Sequence, residues 1–180
     1  MRVAVLGLGN VLRRDDGVGP AVIARLEARY TFPIDVEVMD LGTPGLDLVD
    51  QLVERDAVIF VDAILDGRAP GGVRVLDPGD LRGSTGAIAP SPRMTSHEAG
   101  VDDALIVAAM DGRGPTHVRL VGVVARDLAD GPGLSADVED AIPAACDAVL
   151  DELRALGYAA APRVDIGQDA AWWRRFAVVG

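Results

Sequence analysis

Residues 3–19 read VAVLGLGNVLRRDDGVG, and their pattern indicates an α/β fold. Residues 3–8 form a continuous apolar run, which is typical of a strand buried on both faces of a parallel sheet. A turn with the acidic pair Asp15 and Asp16 follows, and Pro20 suits the first turn of a helix. That helix is indicated by apolar residues at helical spacing, namely Val18, Val22, Ile23, Leu26 and Tyr30. A strand, an acidic turn and a helix therefore open the fold.

The same alternation of strands and helices continues along the chain. Residues 36–38 alternate apolar and polar side chains, as a half-buried strand does. Thr43 and Pro44 are expected to open a second helix. Its buried face is expected to comprise Leu46, Val49 and Val53. Residues 57–61 form another apolar run, which is expected to end on Asp62. This order of elements requires a parallel sheet with right-handed crossovers.

Two further strands are predicted in the second half of the chain. Residues 71–76 are expected to run antiparallel, because their connection from Asp62 is too short for a crossover helix. The segment 78–95 is rich in Gly, Pro and Ser and is expected to be a long loop, either functional or disordered. Residues 118–124 form the fifth strand. The sequence therefore predicts an α/β fold with a five-stranded, mostly parallel sheet and one antiparallel strand.

Two more helices are predicted around these strands. One begins near His97 and buries Val101, Leu105 and Ala108. The last helix is expected to be capped by Ser135, and Pro143 should kink or break it. Its apolar stripe comprises Val138, Ile142, Cys146, Val149 and Leu153.

Length and composition restrict the class of protein. The 180 residues fit one domain, and a formal net charge of −11 argues against a nucleic-acid binder and against docking on an anionic membrane. The single cysteine, Cys146, excludes an internal disulfide and a zinc site of several thiolates. The chain shows no secretory leader and no apolar run of membrane-spanning length. We therefore expect a cytoplasmic protein, with a monomer as the default.

Three polar residues are candidates for chemistry because of where they fall relative to the strands. Asp16 follows the first strand, Asp62 ends the third, and His97 follows the long loop. Ligands of open α/β sheets bind beyond the carboxyl ends of the parallel strands, so these side chains are expected to converge there. Two carboxylates and an imidazole would leave an open position on a metal, and they suit nickel or zinc equally. Each residue also has a structural interpretation, as a helix cap, a turn residue or an exposed histidine.

Five blocks of sequence stand out along the chain. The opening block is Gly7-x-Gly9-Asn10-x-Leu12-x-x-Asp15-Asp16-Gly17-x-Gly19. The later blocks are, in order, Asp40-x-Gly42-Thr43-x-Gly45, Val61-Asp62-Ala63, Ser96-His97-x-x-Gly100 and Gly131-x-Gly133-Leu134-Ser135. In content and order these blocks resemble the nickel-iron hydrogenase maturation endopeptidases, and the resemblance covers roughly residues 1–156.

The resemblance implies a fold, a substrate and a role for particular residues. Members of the family are three-layer α/β/α sandwiches that remove a C-terminal extension from the hydrogenase large-subunit precursor after nickel insertion. Their catalytic metal ligands correspond to Asp16, Asp62 and His97, which would bind nickel presented by the substrate or another divalent metal. A supporting loop set would comprise Gly9, Asn10, Asp15, Gly42 and Thr43. Asp15 is expected either to accept a proton or to organise the loop.

The chain departs from the family pattern at its C-terminus. Residues 1–157 are expected to form the protease-like domain, and residues 158–180 an extension without a recognised counterpart. Within this extension, Trp172-Trp173-Arg174-Arg175-Phe176 is expected to cover the protein's own core edge or to contact a partner.

Two rival functions remain open at the level of sequence. A nickel-binding accessory protein without catalysis would use the same three residues. A nucleotide-binding oxidoreductase is suggested by Gly7-x-Gly9 and by Asp40, but Leu12 stands at the position of the third glycine.

Overall fold

The computed structural model describes residues 1–77, 93–94, 98–110 and 112–164. The strands are β1 Val3–Leu8, β2 Tyr30–Thr31, β3 Val36–Gly42, β4 Ala57–Leu65, β5 Val73–Leu76, β6 Arg93–Met94, β7 His117–Val124 and β8 Ala161–Pro162. The helices are α1 Val18–Arg29, α2 Leu48–Leu52, α3 Glu98–Met110 and α4 Ala136–Ala155. Two 3-10 turns, Arg14–Gly17 and Gly45–Asp47, precede α1 and α2.

The central sheet has the predicted mixture of strand directions. Its main order is β3-β1-β4-β7-β5, with β3, β1, β4 and β7 parallel and β5 antiparallel to β7. The two-residue β6 pairs antiparallel with β4 and adds a short strand to the five that the sequence predicts. Strands β2 and β8 form a separate antiparallel pair.

Helices cover both faces of the sheet, which confirms the three-layer sandwich. Successive residues of β1 face opposite layers: Val3 and Val5 pack with α1 and α4, whereas Ala4 and Leu6 pack with α2 and α3. Every residue of β1 is buried, which explains the continuous apolar run in the sequence.

The second helix begins later than the sequence suggests. Gly42 and Gly45 adopt φ of +55° and +56°, so the chain turns there instead of starting a helix at Thr43. Helix α2 then spans only Leu48–Leu52, and its fully buried residues are Leu48 and Leu52. Val49 and Val53, which the sequence places on the buried face, pack against the same core but are only partly buried. The side chain of Leu46 lies outside the described part of the chain.

The sequence predicted that the strand of residues 57–61 ends on Asp62, but β4 continues to Leu65. Pairing between β1 and β4 stops at Gly7 and Val61, whereas β7 continues to pair with β4 as far as Ile64. Asp62 therefore lies inside β4, at the first residue that β1 no longer pairs with.

Pro143 does not break the last helix, because α4 continues through it from Ala136 to Ala155. Proline removes one intrahelical hydrogen bond, but Pro143 is exposed, so water can reach the carbonyl group that loses its donor. Tyr30 leaves helix α1 and starts β2, although the sequence placed it on the apolar stripe of that helix.

The first residues of the predicted C-terminal extension belong to the fold. The Tyr158 hydroxyl donates to the Met1 carbonyl oxygen at 2.5 Å, and the Arg163 N–H donates to the Arg29 carbonyl oxygen at 2.8 Å. Strand β8 pairs Ala161 with Thr31. Residues 165–180, which include the Trp172–Phe176 cluster, lie outside the described residues. Within the described ranges, none of the helices combines the length and apolar character needed to cross a bilayer.

Candidate active site

Asp16 and Asp62 lie where the order of the sheet reverses. After β1 the chain passes through α1 to β3 on one side of β1, and then through α2 to β4 on the other side. Such a switch point opens a crevice beyond the carboxyl ends of the two central strands. The 3-10 turn that carries Asp16 approaches β4 to within 8 Å between Cα atoms.

Two glycines permit this close approach. Gly9 has a φ of +136°, and a Cβ atom there would lie 1.8 Å from the Asp16 carbonyl oxygen. A Cβ atom at Gly19 would lie 2.1 Å from the Leu8 carbonyl oxygen and 2.5 Å from that of Val61. Glycine at these positions therefore lets the first turn of α1 rest directly on the ends of β1 and β4.

Asp16 is fully buried, with 0% exposure. Its Oδ2 accepts a hydrogen bond from the Asn10 backbone N–H at 3.0 Å. Its Oδ1 has no hydrogen-bond partner among the residues that the structure describes. A buried carboxylate oxygen without a donor is unfavourable unless a cation or metal compensates it.

Asp62 is also fully buried, with 0% exposure. Its Oδ1 accepts a hydrogen bond from the Ala63 backbone N–H at 2.7 Å. Side chains alternate along a strand, so Asp62 lies on the same face of β4 as Phe60 and Ile64, which pack toward α2 and α3.

His97 lies outside the described residues, and its role as a ligand stays a prediction. Of the two described segments that flank it, the one that ends at Met94 is paired beside Asp62. Met94 pairs with Ile64, two residues beyond Asp62, and α3 begins at Glu98. Within the described ranges, no group of three or more His, Cys, Asp or Glu side chains is arranged to hold a metal ion.

Asp15 has a role that sequence reasoning left open. This fully buried carboxylate accepts four hydrogen bonds, three of them from backbone N–H groups. Oδ2 accepts from Arg126 N at 2.8 Å, Asp127 N at 2.9 Å and the Ser135 hydroxyl at 2.9 Å. Oδ1 accepts from Ser135 N at 2.6 Å. This arrangement favours the organising role, since both oxygens are engaged by donors. Ser135 is the N-cap residue of α4, as predicted, but its hydroxyl bonds Asp15 rather than the helix.

The segment after β7 wraps around the acidic turn. The Arg14 N–H donates to the Gly131 carbonyl oxygen at 2.8 Å, and the Gly131 N–H donates to that of Leu12, also at 2.8 Å. An ion pair joins Arg14 Nε to Asp127 Oδ2 at 3.1 Å. Sequence alone could not show that this segment holds the acidic turn, because the residues that donate to Asp15 lie 111 to 120 positions further along the chain.

An open groove of about 380 Å³ adjoins the acidic turn. Its lining includes four of the five residues expected to form a supporting loop, namely Gly9, Asn10, Gly42 and Thr43. Asp40 also lines it and accepts a hydrogen bond from the Gly42 N–H at 2.9 Å. Desolvation of Asp40 raises the pKa of its carboxyl, and the bond from Gly42 opposes this shift.

The same geometry disfavours a dinucleotide site. A pyrophosphate would need free backbone N–H groups and no negative charge at the start of the first helix. In this chain the buried carboxylates of Asp15 and Asp16 stand there.

Comparison with known proteins identifies the family of this chain. A family model described as hydrogenase maturation protease (HycI) matches residues 20–152. The hydrogenase 2 maturation protease of Escherichia coli (strain K12) is 36% identical over 165 residues, which cover 91% of this chain and 97% of that protein. The hydrogenase expression/formation protein HupD of Bradyrhizobium diazoefficiens is 35% identical over 157 residues, or 87% of this chain and 80% of HupD.

Solved structures give the same result. The hydrogenase maturating endopeptidase HybD from Escherichia coli superposes with a TM-score of 0.80 at 37% identity, covering 92% of this chain and 99% of HybD. The [NiFe] hydrogenase maturation protease HybD from Thermococcus kodakarensis gives a TM-score of 0.67 at 26% identity, covering 85% and 99%. The chain therefore belongs to the hydrogenase maturation protease family and is an endopeptidase.

Proposed function

We propose that this endopeptidase removes the C-terminal extension of a nickel-iron hydrogenase large-subunit precursor once nickel has been inserted. In this proposal Asp16, Asp62 and His97 bind the nickel that the precursor presents. The observation that carries it is the buried Oδ1 of Asp16, which has no donor among the described residues. An arriving divalent metal would supply the missing partner.

The positions of Asp62 and of the neighbours of His97 support a shared site. Asp62 lies on the face of β4 that packs toward α3, and α3 begins at Glu98, directly after His97 in the sequence. Met94 is paired beside Ile64.

Two carboxylates and one imidazole would leave coordination positions for the precursor's own ligands. Nickel held there could polarise the scissile carbonyl group or lower the pKa of an attacking water. In the alternative form of the proposal, nickel only reports that the precursor is loaded, and a different group carries out hydrolysis. In both forms Asp16 and Asp62 hold the metal, and Asp15 keeps the turn that carries Asp16 in place.

We also propose that the protein acts as a monomer in the cytoplasm and binds neither nucleic acid nor membrane. The formal charge of −11 supports the proposed absence of nucleic-acid and membrane binding, because nucleic acids and anionic membranes would be repelled. The partner is then the folded precursor, whose nickel is the cation that the acidic site recognises.

The test compares two substitutions at the site with two matched controls. Asp16→Asn and His97→Ala should each abolish trimming of nickel-loaded precursor, as measured by mass spectrometry. Their circular dichroism spectra should match that of the wild type, which shows that both variants fold. Asp35→Asn and His117→Ala serve as controls, since Asp35 is exposed just before β3 and His117 opens β7, both at the opposite end of the sheet. Both controls should trim at the wild-type rate. Normal trimming by folded Asp16→Asn or His97→Ala would disprove the metal site.

A further inference from the structure

Leu12 projects from the turn that carries the proposed metal ligand. Its side chain is 65% exposed, although its neighbours Asp15 and Asp16 are fully buried. We propose that Leu12 is a specificity-determining residue, which packs against an aliphatic side chain of the precursor segment next to the scissile bond. This inference rests on the proposed function and adds a contact to it.

The backbone of Leu12 is held on both sides. Its N–H donates to Asn10 Oδ1 at 3.0 Å, and its carbonyl oxygen accepts from the Gly131 N–H at 2.8 Å. Neither bond uses the Leu12 side chain, so the fold does not require leucine here. A preorganised apolar side chain loses little conformational entropy when a partner covers it, which makes it an efficient contact.

The position of Leu12 connects it to the site. The backbone N–H of Asn10, two residues before Leu12, donates to Asp16 Oδ2 at 3.0 Å. The loop that carries Leu12 is therefore in direct contact with the carboxylate of Asp16. The open groove begins at the residues just before Leu12, and Val11, Pro20 and Leu41 contribute apolar surface to its otherwise polar lining. A peptide segment bound at Asp16 would therefore lie beside Leu12.

The two arginines that follow Leu12 are engaged by the protein itself. Arg13 donates to the Leu128 carbonyl oxygen at 3.2 Å, and Arg14 forms its ion pair with Asp127 at 3.1 Å. Leu12 is an exposed apolar side chain of this turn, and Asp40 lines the adjacent groove, so an aliphatic side chain of the precursor is favoured over an acidic one.

The contact is tested by measuring kcat and KM for trimming of nickel-loaded precursor. Leu12→Ala should lower kcat/KM about tenfold, mainly through KM, because it removes the methyl groups that the substrate would cover. Leu12→Met should retain most of the wild-type value, since it keeps the apolar volume. Ile34→Ala is the matched control, because Ile34 is 96% exposed before β3, at the opposite end of the sheet. It should leave kcat/KM unchanged.

The partner is then located with precursors in which each aliphatic residue of the extension is replaced by serine. One of them should lower kcat/KM in wild-type enzyme but have little further effect in Leu12→Ala. Equal kcat/KM for wild type and Leu12→Ala would overturn the inference, as would the absence of coupling to any residue of the extension. Failure of the proposed function would be recognised separately, because the wild-type enzyme would then trim nothing.

Discussion

Asp15 and Asp16 are adjacent and fully buried, yet their carboxylates have opposite hydrogen-bond environments. Asp15 accepts four hydrogen bonds, whereas Asp16 accepts one from Asn10 and leaves Oδ1 without a donor among the described residues. Both oxygens of Asp15 are therefore used in holding the fold together, whereas Oδ1 of Asp16 is not used by any described donor.

Asp15→Asn should destabilise the protein strongly. The amide keeps one acceptor oxygen, but its NH2 group would face donors such as the Ser135 N–H, which leaves buried donors unsatisfied. We expect the free energy of unfolding to fall by about 3 kcal/mol in urea denaturation. Ser135→Ala, which removes one hydroxyl donor, should cost only about 1 kcal/mol. Equal losses for the two variants would contradict the network.

Asp16→Asn should have the opposite profile in metal-free protein. It removes a buried charge while its amide oxygen can still accept from Asn10, so the free energy of unfolding should stay constant or rise by about 1 kcal/mol. Nickel affinity, measured by isothermal titration, should fall by at least about tenfold. Clear destabilisation with unchanged nickel affinity would assign Asp16 to the fold instead.

Gly19→Ala should prevent correct folding of the first turn of α1. Its Cβ atom would lie 2.1 Å from the Leu8 carbonyl oxygen, and backbone atoms on both sides leave no room for adjustment. We expect a loss above about 3 kcal/mol, measured as the urea midpoint. Gly17→Ala is the milder comparison and should lower the midpoint less, because its Cβ would make a tight contact of 3.1 Å with the Val11 Cα rather than an overlap, and its φ is −79°. A wild-type midpoint for Gly19→Ala would refute the close packing of α1 on β1 and β4.

Asp40 should influence the titration of Glu27. Desolvation and then repulsion by Asp40 raise the pKa of Glu27, and Arg163 opposes the shift. Asp40→Asn removes the repulsion, so carboxyl NMR titration should show a lower pKa for Glu27. Each carboxyl has a higher pKa in the folded state than in the unfolded state, so its ionisation weakens folding as pH rises from about 4. The stability of Asp40→Asn relative to wild type should therefore increase over that range, by less than about 0.5 kcal/mol for exposed groups. An unchanged Glu27 pKa would contradict the coupling.

Much of the fold follows from local patterns. Fully apolar strands predicted the parallel sheet, and the short connection after β4 predicted the antiparallel direction of β5. Asp16 and Asp62 could be placed near the carboxyl edge because each follows an apolar run of one of the two central parallel strands, although β4 itself continues past Asp62.

The remaining features depend on contacts between distant segments. β4 continues past Asp62 because β7 continues to pair with it, and no local signal announces this. The late start of α2 reflects the left-handed conformations of Gly42 and Gly45, which the Thr43-Pro44 signal does not reveal. The donors of Asp15 come from the segment after β7, so its role required the folded chain.

Recognition of bound nickel is tested by the mass of hydrogenase large-subunit precursor after incubation with the wild-type enzyme. Matched samples of the precursor, nickel-loaded and nickel-free, are compared under identical conditions. The loaded precursor should lose its C-terminal extension, while the nickel-free precursor should keep its full mass. Equal trimming of both samples would contradict the claim that the enzyme recognises bound nickel.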